Sequence, residues 1–338
     1  MSDKINIGLI GAGRIGRVHA ENLAYRLPET NLVAVSDVFL EGAEKCAADF
    51  QIPEAHQDHR AILDNPDIDA VIICSSTDTH TQFICEAAEA GKHILCEKPI
   101  AHDLQEIDKA LETVERCGVK LQIGFNRRFD PNFRAVQEMV AAGNIGTPHT
   151  LHIISRDPAP PPISYIKVSG GIFLDMTIHD FDMARYLIGS EVTEIYVAGG
   201  VMVDPAIGEA GDLDTAIVTL QFENGTIGMI DNSRQAVYGY DQRVEVFGSE
   251  GSVKTSNDTP HKAVYSNNEG IHSAKPLYFF LERYTASYVA EMREFIEAIQ
   301  QDTPVPVDGM DGKIPVIMGL AAWKSYKEKR PVKLSEIG

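Results

Sequence analysis

A lysine closes a short apolar run in His93-Ile94-Leu95-Cys96-Glu97-Lys98-Pro99, where a parallel strand would leave its sheet. Open α/β sheets bind their ligands at such strand ends. A buried ammonium is costly to desolvate, and an exposed one needs no strand end and proline to aim it, so Lys98 is a candidate for chemistry. Asp175 and His179 are a second candidate, four residues apart after Gly170-Gly171, with Asp182 three residues further on. That spacing on one helix places both side chains on one face, the carboxylate holding a hydroxyl or the ring while histidine accepts a proton near neutrality.

Gly11-Ala12-Gly13-Arg14-Ile15-Gly16 is the third group, between the strand pattern Ile5 to Ile10 and a helix pattern from Ile15. In that setting Gly11 permits a tight turn, Gly13 lets amides approach a pyrophosphate, and Gly16 lets helix pack on strand. Asp37 lies 21 residues after Gly16. With Val38 it ends the second strand, where a carboxylate accepts ribose hydroxyls and repels a 2′-phosphate, favouring NAD over NADP. Capping the next helix is the plainer alternative, and the two roles are compatible. Ser75, Ser76, Thr77 and His80 follow the third strand pattern at the same edge, as do Glu97 and Lys98 after the fourth. Small hydroxyl residues there reach phosphate or ribose, or serve as helix caps beside Asp78 and Thr79.

The elements that must position these groups change character along the chain. Up to residue 123, strand runs (5–10, 32–36, 70–74, 93–96, 120–123) alternate with helical segments (15–25, 40–49, 79–90, 104–117), the pattern of a doubly wound parallel Rossmann sheet. From residue 124, a helix near 132–142 and a strand at 149–155 precede Pro158 and Pro160 to Pro162, which force a loop. One helix is expected from Gly170 to about Leu187, then strands at 194–203, 214–222, 226–234, 242–247 and 252–255, with turns at Asn224-Gly225 and Ser249-Glu250-Gly251. Helices at 285–301 and 309–327 close the chain, and the last could pack back on the first domain. The expected architecture is therefore α/β, with residues 1–123 a Rossmann domain. Residues 124–338 form an α+β domain with a large, open, mostly antiparallel sheet.

Composition narrows the function. The 338 residues carry 30 Lys and Arg against 49 Asp and Glu, a net charge of −19 that repels nucleic acid and anionic membranes. No apolar stretch approaches the roughly 20 residues of a membrane span, and the amino terminus shows no secretory signal pattern. Cys46, Cys74, Cys85, Cys96 and Cys117 form no CxxC pair. Scattered and odd in number, they suggest reduced thiols in a cytoplasmic protein, with neither disulfides nor zinc.

The glycine turn followed by Glu97-Lys98-Pro99 resembles the Gfo/Idh/MocA family of NAD(P)-dependent oxidoreductases. Further blocks carry the likeness across the chain: Phe125-Asn126-Arg127-Arg128-Phe129, Ser155-Arg156-Asp157-Pro158, Gly170 to Asp182, and Tyr238-Gly239-Tyr240-Asp241-Gln242-Arg243. They resemble the inositol-oxidising branch. The resemblance implies a cis bond at Lys98-Pro99, a catalytic set of Lys98, Asp175 and His179, and polyol contacts from Asn126, Arg127, Asp157 and Tyr240 or Tyr238. It implies NAD-dependent oxidation of a ring hydroxyl of a cyclic polyol, myo-inositol first, with scyllo-inositol or a pyranose such as glucose as alternatives. A nucleotide-binding sensor without turnover is the rival class, against which the intact catalytic set argues. Apolar Ile195, Val197, Val201, Ile217 and Val218 are expected on an outward sheet face covered in a homo-oligomer, which family habit makes a tetramer.

Overall fold

In the computed structural model, which describes residues 4–338, the alternating pattern of the first third builds six strands. They are β1 (Ile5–Ile10), β2 (Thr30–Ser36), β3 (Glu54–His56), β4 (Ala70–Ile73), β5 (His93–Cys96) and β6 (Leu121–Ile123). All pair in parallel, in the order β3-β2-β1-β4-β5-β6. Helices α1 (Arg14–Tyr25), α2 (Leu40–Phe50), α3 (Arg60–Leu63), α4 (Thr77–Glu89) and α5 (Leu104–Cys117) connect them. β4 reads Ala-Val-Ile-Ile and every residue is buried, as a parallel strand covered on both faces requires. α5 shows why its ends fall where they do. Asp103 accepts from the amides of Gln105 and Glu106, and Gly118 takes the left-handed conformation (φ 67°) at the other end. β3 and α3 lie in a stretch where the sequence suggested no element.

The order β3-β2-β1-β4-β5-β6 reverses direction between β1 and β4. Both the glycine turn and the Ser75 loop therefore leave the sheet at the switch point where such folds bind nucleotides.

A short 3₁₀ turn (Asn126–Phe129) and α6 (Pro131–Ala141) lead into β7 (Pro148–Arg156). Then come α7 (Ile163–Ile166), α8 (Ile172–Asp175), α9 (Thr177–Ile188), β8 (Val192–Gly200), α10 (Pro205–Glu209), β9 (Thr215–Phe222), β10 (Ile227–Ser233), β11 (Asp241–Gly248) and β12 (Ser252–Lys254). A β13 (Val264–Asn267) to β14 (Gly270–Ser273) hairpin and α11 (Phe280–Arg283) follow. The expected turn at Asn224-Gly225 joins β9 to β10 as an antiparallel pair, and Gly225 takes φ 88° there. The large sheet is mixed, and β7 with β10 is the parallel pair among its neighbours.

Two expectations need correction. The helix from Gly170 to Leu187 is broken at Met176 into α8 and α9, so Asp175 ends one segment and His179 lies in the first turn of the next. Of the five residues expected on the outward face of the sheet, Val201 is exposed and Ile217 half-buried, but the other three face the interior. Ile195, Val197 and Val218 are buried, while Tyr196, Ile227, Met229 and Phe247 are exposed. Side chains alternate along a strand, and β8 carries large apolar residues at both parities, so its pattern alone could not say which set faced the helices.

The closing segments are α12 (Thr285–Gln300), α13 (Gly309–Glu328), β15 (Val332–Lys333) and a terminal 3₁₀ turn. β15 adds to the edge of the large sheet beside β8, giving the order β12-β11-β7-β10-β9-β8-β15. Met292, Phe295 and Ile296 of α12 share one core with Ile7, Leu9, Val35 and Ile72. The first compact unit accordingly comprises the chain up to Asn126 with Ser287–Ile314, and the second comprises Arg127–Ala286 with Pro315–Gly338. No described helix is long and apolar enough to cross a membrane.

Candidate active site

The glycine turn is shaped by what a side chain would strike. A Cβ on Gly16 would lie 1.9 Å from the Gly11 carbonyl oxygen, and one on Gly11, already at φ 101°, would lie 2.6 Å from the Cys74 backbone. At Gly13 the same atom meets nothing within 4 Å, so the backbone stays open in front of α1. No side chain caps Gly13 among the described residues, and α1 has no acidic residue in its first turn. That arrangement fits a pyrophosphate on the helix N-terminus. Arg14 and Ile15 form the first turn itself.

Asp37 does two jobs. Its Oδ2 accepts from the Ala12 amide at 2.8 Å, and its Oδ1 accepts from the Phe39 amide at 2.9 Å, tying the glycine turn to the entry of α2. Val38 beside it is exposed. On the neighbouring loop the Thr79 hydroxyl donates to the Ser76 carbonyl and pairs with the Ser75 hydroxyl, each at 2.7 Å, and Thr77 begins α4. His80, by contrast, is buried. Its Nδ1 lies 2.8 Å from the Pro99 carbonyl oxygen and its Nε2 3.2 Å from that of Ser75. Burial holds its pKa below the usual histidine range, so the ring acts as a brace between two loops at the sheet edge.

Lys98 follows β5, partly buried, and Lys98-Pro99 is cis as the family likeness implied. Glu97 beside it is buried. Its Oε1 is 2.9 Å from Nε2 of the fully buried His19. Asn126 is also buried, its side chain donating to Ser287 Oγ at 3.3 Å.

Within the second unit the remaining candidates fall into a dense set of charge pairs. Asp175 accepts from the Tyr165 hydroxyl at 2.8 Å and from Arg234 Nη1 at 3.2 Å. Arg234 is 1% exposed and also binds Asp212, whose Oδ1 accepts from the Ile172 amide at the start of α8. Arg127 donates to Asp180 at 2.6 Å, and Asn232 donates to the other oxygen of Asp180 at 2.8 Å. Thr177, the first residue of α9, donates to Asn232 at 2.6 Å. Arg128 grips Asp182 through both Nε and Nη2. Asp182, expected near the face of Asp175 and His179, is therefore committed to Arg128.

Electrostatics single out Asp157. Burial pushes its carboxyl up to about 6, with Arg234 and Arg127 pulling it down and Asp175 and Asp180 raising it further. Burial also raises Asp180, against Arg127 and Asn232. Burial alone would lower Arg127, but Tyr284, Tyr240, Asp180 and Asp157 more than offset this and raise it. Tyr240 is 6% exposed, with its ring edge-on to Tyr284 at 6.0 Å, and burial drives its hydroxyl well above the usual tyrosine range. Tyr238 is 38% exposed and bonds Asp241 and Arg156 instead. Both tyrosines precede β11 in a turn where Gly239 has φ 132°, so strand parity does not relate them. Tyr240 is thus the tyrosine grouped with Arg127 and Asp157.

Sequence reasoning missed Arg234, Tyr165 and Asp212, the residues that hold Asp175. Their signal was faint: single polar residues at a strand end, in a short helix and in a loop.

A nucleotide turn at the switch point of a parallel sheet, a lysine at a neighbouring strand end and a charged second domain define an NAD-linked oxidoreductase. The chain belongs to the GFO/IDH/MocA oxidoreductase family. Residues 5–125 match its NAD-binding Rossmann fold and residues 133–254 its C-terminal domain. The chain is 49% identical to the myo-inositol 2-dehydrogenase of Thermotoga maritima, over 98% of this chain and 99% of that protein. It is 45% identical to the inositol 2-dehydrogenase of Rhizobium meliloti over 98% and 99%. A solved scyllo-inositol dehydrogenase from Lactobacillus casei, with bound NAD(H) and scyllo-inositol, superposes with a TM-score of 0.92 at 30% identity, covering 98% of this chain and 100% of that one.

Proposed function

We propose that this protein oxidises one ring hydroxyl of myo-inositol to 2-keto-myo-inositol with transfer of hydride to NAD. The observation that carries this reading is the interlocked polar set of the second unit, Arg127, Asp157, Asp175 and Tyr240 with their buried partners. A cyclic polyol offers six hydroxyls and little apolar surface, so selecting one requires many fixed donors and acceptors rather than an apolar pocket. The inositol-oxidising relatives support the substrate class. A second reading, scyllo-inositol as the preferred isomer, is favoured by the likeness to the solved scyllo-inositol dehydrogenase.

NAD would be held by Gly11, Ala12, Gly13, Arg14, Ile15 and Gly16, by Asp37 and Val38 at the ribose, and by Ser75, Ser76 and Thr77, with His80 and Glu97 bracing the loops. When bound, it supplies the hydride acceptor. His179 takes the hydroxyl proton, and Lys98 donates to the same oxygen as alkoxide character develops. Asp175, held by Tyr165 and Arg234, orients the ring of His179 or an adjacent hydroxyl. Asn126, Arg127, Asp157 and Tyr240 fix the remaining hydroxyls.

The test is NADH formation across a panel of myo-inositol, scyllo-inositol and glucose, with NAD or NADP. Turnover is expected with myo-inositol and NAD, falling about 10²-fold or more in Lys98→Ala and His179→Ala. Near-normal turnover in either variant defeats the assignment, and a higher kcat/KM for scyllo-inositol installs the second reading.

The face of the large sheet bearing Tyr196, Ile227, Met229 and Phe247 supports a homo-oligomer, with four copies the family habit. A monomeric mass by light scattering at micromolar concentration would exclude it. The five free cysteines are in keeping with a reducing compartment, the cytoplasm.

A further inference from the structure

Glu291, on α12, is 0% exposed, and neither of its side-chain oxygens has a hydrogen-bond partner among the described residues. A lone carboxyl in such a place needs an account, because an unpaired charge in a dry interior is not tolerated. Its surroundings lead to Lys98. The backbone carbonyl of Glu291 accepts from Gln122 of β6 at 3.1 Å. One turn earlier on α12, Tyr288 meets the ring of His19 edge-on, with centroids 5.6 Å apart. His19 in turn binds Glu97, the residue immediately before Lys98. The Glu97 carboxyl lies against Gly124, where an added Cβ would stand 3.0 Å from Oε2.

We propose that Glu97, His19 and Glu291 form a buried cluster that positions Lys98, with Glu291 as its protonated member. Glu97 has a ring nitrogen facing it, whereas Glu291 has no donor, so Glu291 is the member that keeps its proton. Burial first, and the charge of Glu97 second, push its carboxyl well above the usual range. The other titratable groups around it are Tyr288 on its own helix and Cys74 after β4. The thiol of Cys74 is raised by burial and then by Glu97, Cys96 and Glu291. With Glu97 anchored inward through His19 and packed on Gly124, the next residue has its backbone direction set. Glu97 is thus a positioning residue acting through Lys98.

The inference rests on the proposed role of Lys98, and two readouts separate their failures. The first ignores activity. At about pH 8, above the titration of Asp157, infrared difference spectra of the NAD-loaded protein should show the carbonyl stretch of a buried protonated carboxylic acid, lost in Glu291→Gln and kept in Glu97→Gln. The second is the split between kcat and KM in NADH formation with myo-inositol. Glu97→Gln is expected to lower kcat about tenfold or more while leaving KM for NAD within about twofold, as a misplaced catalytic group does. Glu97→Asp and His19→Asn should give intermediate kcat, and provide the comparison if Glu97→Gln folds poorly. Absence of the infrared band from the wild type, its survival in Glu291→Gln, or a normal kcat in Glu97→Gln where Lys98→Ala is inactive would each overturn the cluster. Normal turnover in Lys98→Ala would instead overturn the role of Lys98, with the infrared result still deciding where the proton resides.

Discussion

The glycine turn of the first unit and the charged set of the second both concentrate polar groups, but they are built from opposite materials. The turn works by lacking side chains. Gly11 and Gly16 have no room for a Cβ, and Gly13 leaves open space before a helix end, so recognition falls to backbone amides. The second unit works through long side chains locked against one another: Arg127 with Asp180, Arg128 with Asp182, Arg234 with Asp175 and Asp212. A backbone site is specified by residues adjacent in sequence. A side-chain site is specified by partners that can be far apart, 59 positions in the case of Arg234 and Asp175.

The sharpest way to break this contrast is to remove one buried charge. Arg127→Met leaves Asp180 buried without its cation, and unfolding in denaturant should show a loss of about 3–5 kcal/mol. A loss below about 1 kcal/mol would mean the second unit is no more dependent on its pairs than a surface is.

A change at the backbone site should instead alter choice of ligand more than stability. Asp37→Ser removes the carboxylate that repels a 2′-phosphate, and the ratio of kcat/KM for NADP over NAD should rise about tenfold, some 1.4 kcal/mol. Because Asp37 also accepts from Ala12 and Phe39, turnover with NAD should fall at the same time. An unchanged ratio would leave Asp37 as a loop brace alone.

An effect that depends on pH concerns Asp157. Its folded carboxyl sits at about 6, above the ordinary 3.8, so the folded protein binds this proton more tightly than the unfolded chain. The resulting stabilisation is full below about pH 3.8 and is lost as pH rises through about 6, at most about 3 kcal/mol in all. In Asp157→Asn that component of the pH dependence should disappear from thermal melts recorded between pH 4 and 7. In the wild type, KM for the polyol should fall as pH rises through about 6, where the carboxylate forms and can accept from hydroxyls. A KM flat across that range would remove Asp157 from the polyol contacts.

The difference between the two regions also explains what could be read early. The parallel order of the first sheet, the cap at Gly118 and the hairpin at Asn224-Gly225 follow rules of neighbouring residues, and each is present. The break at Met176 was not legible, because apolar and small residues run through Ile172 to Ala184 in a helical pattern. The Thr177 hydroxyl meanwhile bonds Asn232, 55 residues away. Nor could parity choose between Ile195 and Tyr196, since either set makes an acceptable buried face until helices cover one of them.

By itself, then, the sequence determined the nucleotide turn, the acid that closes the second strand, the strand end that carries Lys98 and the pairing of a Rossmann half with a sheet-rich half. Each depends on backbone geometry over a few residues, where steric exclusion leaves one type of residue possible. Only the tertiary structure decided that Arg234 and Tyr165 hold Asp175, that Tyr240 rather than Tyr238 joins Arg127, and that α12 brings Glu291 into the interior of the first unit. Those choices depend on which charges are removed from water together. Desolvation of that kind is a property of the packed interior, and no local stretch of chain encodes it.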